Sequence, residues 1–252
     1  MKFIIELKRR NAVLFWYGIL NIVAAAFCIV MWQNTSTMVN GINAYVKPFK
    51  FFVSIGIFCF TVGWLFHHLH MPRKVKAFNI MAVIVFTIES VIITWQASNG
   101  RLSHFNVTTP LYGALFTLMG IAIVVLTIWT GYFGYLFFRK RDFTISRPYL
   151  WGIRLGILFF TIFAFEGGIM ASMLRHFVGG EDSGDGIPLV NWSRQHGDLR
   201  IAHFFGMHTL QLFPLFGYYL AKSSKAVVTF AMIYVTLVGA MLVKALMGLP
   251  LL

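Results

Sequence analysis

The chain has 252 residues, of which 58% are hydrophobic, 17% aromatic and only 12% charged, with a formal net charge of +13. Soluble domains run at roughly 45–50% apolar and about 25% charged, so the composition excludes a soluble globular domain and implies an integral membrane protein. The cations are spread over short segments between apolar runs and form no basic module, which argues against nucleic-acid binding and for contact with anionic lipid headgroups.

A helix needs about 20 apolar residues to cross a hydrocarbon core of about 30 Å. Runs of that kind occur near 12–32, 51–69, 77–97, 111–138, 148–174, 201–221 and 226–249. The expectation is therefore an all-α polytopic protein with seven transmembrane helices in a single domain, 1–252. Ahead of the first span stand Lys2, Lys8, Arg9 and Arg10; Arg73, Lys74 and Lys76 follow the second; Arg139, Lys140, Arg141 and Arg147 separate the fourth and fifth; Lys222 and Lys225 separate the sixth and seventh. These alternate segments share one side, and the positive-inside bias makes that side cytoplasmic, with the N-terminus in and the C-terminus out, in the periplasm. The first span is too long for a signal peptide, and Ala24–Ala25–Ala26 sits mid-segment, so it reads as an uncleaved anchor. Cys28 and Cys59 fall inside spans one and two and read as packing residues. His67, His68 and His70, beside Met71–Pro72–Arg73–Lys74, read as a solvated basic rim.

Polar side chains at membrane depth cost several kcal/mol unless they face a partner, a cavity or a metal. Glu89 in span three, Glu166 in span five, and His203, His208 and Gln211 in span six lie at similar depth in the outer half. Gln96 follows Glu89 by seven residues and shares its face. The segment His196–Gln211 carries three histidines together with Asp198 and Arg200, and it enters the sixth span. Pro214 frees the Leu210 carbonyl and invites a kink there. Gly206 thins the helix between the histidines, and Ala164, Gly168 and Ser172 permit close helix approach in span five. The expected pocket is built by spans two, three, five and six near the outer face, roofed by segments 98–110 and 175–200. The acidic turn 179–186 lacks the EF-hand spacing and reads as a solvated loop.

Imidazole and carboxylate suit Zn, Fe, Mn or Cu, and facing helices commonly supply such ligand sets. The first functional expectation is a metal-dependent membrane enzyme or redox protein acting on a lipid-like or small anionic substrate. Its metal ligands would be Glu89, Glu166, His203 and His208, with Glu89, Glu166 and His208 as catalytic groups. Lys47, Lys50, Gln96, Arg101, His104, Asp198, Arg200 and Gln211 would bind substrate. Haem fits less well, because the in-membrane histidines all lie on span six. The alternative is a proton- or ion-coupled transporter or channel using Glu89 and Glu166; a retinal-type photoreceptor on Lys244 and a purely structural subunit of a membrane complex rank lower. Partners would be membrane lipids, a second copy of the chain or another membrane subunit.

The segments Lys47–Pro48–Phe49–Lys50–Phe51, Ser103–His104–Phe105–Asn106 and His196–Gly197–Asp198–Leu199–Arg200, followed by His203, His208, Leu210 and Gln211, resemble those of uncharacterised multi-pass, seven-helix membrane proteins of bacteria. The resemblance covers most of the chain and implies a bacterial cytoplasmic (inner) membrane, but it carries no activity. The closing H-x-x-x-H pattern of seven-helix metal hydrolases of the ceramidase and adiponectin-receptor type is absent.

Overall fold

The computed structural model describes residues 2–180 and 186–251. The acidic turn's Glu181, Asp182, Ser183 and Asp185 therefore lie outside the described residues. Among the described residues the order is α1 (Lys2–Arg10), α2 (Ala12–Asn34), β1 (Met38–Val39), β2 (Ile42–Asn43), α3 (Val46–Leu65), α4 (Pro72–Ser98), α5 (Pro110–Arg139), α6 (Arg147–Met173), β3 (Phe177–Val178), β4 (Gly197–Asp198), α7 (Leu199–Met207), α8 (Thr209–Tyr219) and α9 (Ser224–Leu246). A 3-10 turn over Phe66–Leu69 extends α3. Among the described residues, six helical segments are long and apolar enough to cross a membrane: Ala12–Asn34, Val46–Leu69, Pro72–Ser98, Pro110–Arg139, Arg147–Met173 and Ser224–Leu246. The protein is an all-α, multi-pass membrane protein. Its many exposed apolar side chains, such as Leu20, Val91, Ile121 and Ile162, are what lipid-facing helices require.

The helices begin where the local chemistry allows. The Asn11 side chain accepts from the Leu14 amide at 3.1 Å ahead of α2, and the Ser223 hydroxyl accepts from the Ala226 amide at 3.2 Å ahead of α9. Pro72 and Pro110 open α4 and α5, where a missing N–H costs nothing.

The chain divides into two compact units, Met1–Leu126 and Thr127–Leu252. In the first, α2 and α3 pack closely: an added Cβ at Gly56 would come within 2.8 Å of Ile22 and 3.4 Å of the Gly18 carbonyl. A reciprocal amide pair, Asn11 with Asn79 at 3.0 Å in both directions, joins the start of α2 to α4. The α2–α3 connection is a hairpin whose turn, Asn40–Gly41, has positive φ at both residues (48° and 77°), the geometry of a tight type I′ turn.

In the second unit α6 packs against α7, α8 and α9. Gly152 lies against the Phe213 carbonyl and Pro214, and an added Cβ would come within 2.8 Å of the Thr209 carbonyl oxygen at Gly156 and 2.5 Å of the Pro148 carbonyl oxygen at Gly217. Backbone meets backbone at these three points because no side chain intervenes.

The sixth expected span is the main departure from the sequence reading. It is two short helices, α7 and α8, meeting at His208, and neither alone has the length of a span. The break comes before Pro214, which lies inside α8. Its cause is competition for carbonyls: Phe205 accepts from the Tyr234 hydroxyl at 2.9 Å, and Gly206 accepts from the Thr209 hydroxyl at 2.7 Å. Those acceptors serve side chains, so the regular ladder loosens at His208.

Candidate functional site

The sequence-predicted residues divide between the two units. Lys47, Lys50, Glu89, Gln96, Arg101 and His104 fall in the first unit, and Glu166, Asp198, Arg200, His203, His208 and Gln211 in the second.

In the first unit Glu89 is 4% exposed on α4. Lys47 is the charged group that acts on it. The sequence reading puts Lys47 and Lys50 in an outer loop, but α3 starts at Val46, so both stand on its first turns. Gln96 is fully buried; its Oε1 accepts from Asn106 Nδ2 at 3.0 Å, and its own Nε2 has no hydrogen-bond partner. Arg101 stacks over the Tyr112 ring at 4.9 Å, and its amide donates to the Gln96 carbonyl at 2.9 Å. The His104 ring lies 3.2 Å from the Ser103 hydroxyl and 5.5 Å, centroid to centroid, from Phe51. Asn106, quoted in the Ser103–Asn106 turn but given no site role by sequence, ties the 98–110 segment to α4; its position in a turn of Ser, Asn and Thr was the available signal.

In the second unit Glu166 and His203 come together. Glu166 is 6% exposed, and its Oε2 lies 3.1 Å from His203 Nδ1. The hydrogen bond of that same nitrogen goes to the Phe163 carbonyl at 2.8 Å, so the approach to Glu166 is a close contact outside hydrogen-bond geometry, and both carboxylate oxygens remain without a hydrogen-bond partner. Glycines shape the niche. An added Cβ at Gly167 would sit 3.1 Å from the His203 ring, and one at Gly206 would collide with the Phe163 ring. His208 has different partners: Gln211 Oε1 at 3.2 Å and the Phe204 ring at 4.4 Å.

Asp198 and Arg200 form a brace. The Asp198 side chain is fully buried and accepts from the Ser193 amide at 2.9 Å, the Arg200 amide at 3.0 Å and Arg200 Nε at 2.9 Å. Arg200 also donates to the Asn191 carbonyl. Together they close the 186–200 segment and cap α7.

Among the described residues no three His, Cys, Asp or Glu side chains assemble into a group able to hold a metal ion. Cys28 and Cys59 are buried free thiols within α2 and α3. The His67–His68–His70 rim carries Arg10, whose Nη1 lies 3.1 Å from His68 Nε2, so a guanidinium already stands where a cation would have to bind. Arg154 donates to the Phe137 carbonyl at 2.9 Å and serves the C-terminal end of α5. No protein-family model, curated protein or solved structure matches the chain.

Proposed function

We propose that this protein is a proton- or cation-coupled carrier or channel of a bacterial inner membrane, working through the Glu166–His203 pair. The observation that carries the reading is the Glu166 carboxylate, buried in an apolar helix with both oxygens lacking a hydrogen-bond donor while an imidazole stands at 3.1 Å. A polar group left unsatisfied at such a place costs about 1–3 kcal/mol or more, and intramembrane carboxylates kept at that cost serve ion and proton pathways. The glycine niche holds the two groups in register from α6 and α7.

The metal-dependent enzyme or redox protein is the second reading. A catalytic metal site draws on three or more protein donors, whereas Glu166 and His203 supply two; two are enough for a proton, and a small monovalent cation completes its shell with carbonyl oxygens or water. In the same proposal α7 and α8 together make a seventh, interrupted crossing, with the N-terminus cytoplasmic and the C-terminus periplasmic, as the distribution of cations implies.

The test is flux. Protein reconstituted into vesicles containing a pH-sensitive dye, with and without a sodium gradient, should show protein-dependent cation movement that Glu166→Gln abolishes and His203→Gln slows. Unchanged flux in Glu166→Gln, with the protein folded, would overturn the reading. Stoichiometric zinc, iron or copper in the purified protein, lost in the same variant, would establish the metal reading instead.

A further inference from the structure

Glu166 and His203 differ in what can reach them. The Glu166 side chain is 4% exposed, and both of its oxygens are buried and shut off from water. The His203 side chain is 23% exposed. It stands in the second turn of α7, about 6 Å along the axis from the start of that helix at about 1.5 Å per residue. Glu166 lies seven residues short of the end of α6, about 10 Å on the same scale. Of the pair, the imidazole is the member open to its surroundings, and the carboxylate lies behind it.

The contact with Phe163 fixes what each imidazole nitrogen does. A carbonyl oxygen only accepts, so Nδ1 carries the hydrogen that it donates at 2.8 Å. That nitrogen is the one 3.1 Å from Glu166 Oε2, so it has no lone pair for a metal ion shared with the carboxylate. Nε2 of the neutral ring is left as an acceptor. The surroundings disfavour a larger monovalent ion as well. Such an ion exchanges its hydration shell for a ring of oxygen ligands. Here the carboxylate oxygens are closed to a particle the size of water, the Phe163 carbonyl is taken by His203, and the adjoining core is Phe163, Ala202, Val238 and Phe205. A proton needs no such space. Ionisable groups on the neighbouring elements are engaged elsewhere: Arg200 with Asp198, His208 with Gln211, Tyr234 with the Phe205 carbonyl, Arg154 with the Phe137 carbonyl and His196 against the Phe177 ring, while Lys244 is exposed.

We propose that the ion handled at this site is a proton and that His203 relays it to Glu166, an inference that rests on the ion-coupled reading of the pair. Nε2 takes a proton from water at the end of the bundle where α7 begins. Nδ1 swings its own hydrogen from the Phe163 carbonyl to Glu166 Oε2, already 3.1 Å away, and releases it there. The ring is left neutral as the other tautomer. One proton has entered and one carboxylate has been neutralised, and release runs the same steps in reverse.

Infrared difference spectra of the protein in nanodiscs, taken between high and low pH, read the pair without a transport assay. A carboxyl C=O band should appear on acidification, be absent in Glu166→Gln and stay unmoved by sodium at fixed pH. The shift of that band in D2O times the relay. His203→Gly should slow the exchange about a hundredfold, the scale of a positioned acid–base group, and added imidazole should restore it; His203→Gln, which fills the niche, should be slow with no such rescue. A band that is missing, fixed at every pH or displaced by sodium would overturn the proposal, as would exchange as fast in His203→Gly as in the parent protein. If the band and its exchange behave as expected and reconstituted vesicles show no flux, the carrier reading fails and the relay stands. If sodium displaces the band and drives flux, the carrier reading stands and the relay fails.

Discussion

Glu89 on α4 is buried under the influence of the Lys47 charge on α3, whereas Glu166 on α6 is buried against the His203 imidazole in a niche shaped by Gly167 and Gly206. The first carboxylate has a charge of opposite sign acting on it from the neighbouring helix. The second leaves two oxygens without donors, a state that packing alone does not reward. Two carboxylates buried in apolar helices thus meet different surroundings. The difference is set by what the adjacent helix presents.

The sharpest way to break this comparison is to remove the backbone approach on which the second unit is built. Gly152→Leu would drive a side chain into the Phe213 carbonyl and Pro214; neither is the end of a flexible side chain, so the expected loss is about 3 kcal/mol or more. Fluorescence-detected size exclusion after heating should show a large fall in melting temperature, while a bulky residue at Gly168, where nothing lies within 4 Å, should be tolerated.

Lys47→Met sharpens the contrast between the glutamates. It should lower the melting temperature by removing the positive charge that acts on the buried Glu89, and adding Glu89→Gln should restore much of the loss. The same thermal assay checks both variants; no recovery in the double variant would place the role of Lys47 elsewhere.

A smaller effect is expected at the brace. Asp198→Ala leaves the Ser193 and Arg200 amides and the Arg200 guanidinium without their acceptor. The cost should be about 1–3 kcal/mol, confined to the 186–200 segment and read as faster amide exchange there with α6 and α9 unchanged.

The smallest effect concerns α1. Hydrogen bonds from Arg9, then Arg10, hold the Glu6 carboxyl down to about 2, from an ordinary 4.5. A group whose folded-state value is lowered stabilises above its ordinary value and loses that contribution as pH falls. The Glu6 contribution to α1 should therefore be intact at neutral pH and fade between about 4.5 and about 2. Phe3 stacks on Trp64 at 4.7 Å and Arg10 lies over the same ring at 3.8 Å, so Trp64 fluorescence reports it, and Glu6→Gln should flatten the acid transition.

Much of the architecture was legible without coordinates. Hydropathy places the six long helices to within a few residues at most ends, because a bilayer demands about 20 apolar residues whatever they pack against. Glu89 and Glu166 were equally visible as polar groups out of place. Legibility failed where side chains take over backbone duties. The start of α3 at Val46 depends on the hairpin ahead of it, although Asn40–Gly41 was a readable turn signal. The Ser90 and Thr94 hydroxyls, buried without a hydrogen-bond partner, look in sequence like those of Thr117 and Thr161, which serve their own helix.

By itself, the sequence determined the membrane class, the helical content and which polar residues stand inside apolar runs, since these follow from composition and period alone. Only the tertiary structure decided which partner each polar residue meets. Tyr234 and Thr209 take carbonyls from the helix at His208, glycines let α6 and α8 touch, and His203 reaches Glu166 while His208 turns to Gln211. Such choices depend on groups far apart in the chain competing for the same donors and acceptors, and no local pattern encodes that competition.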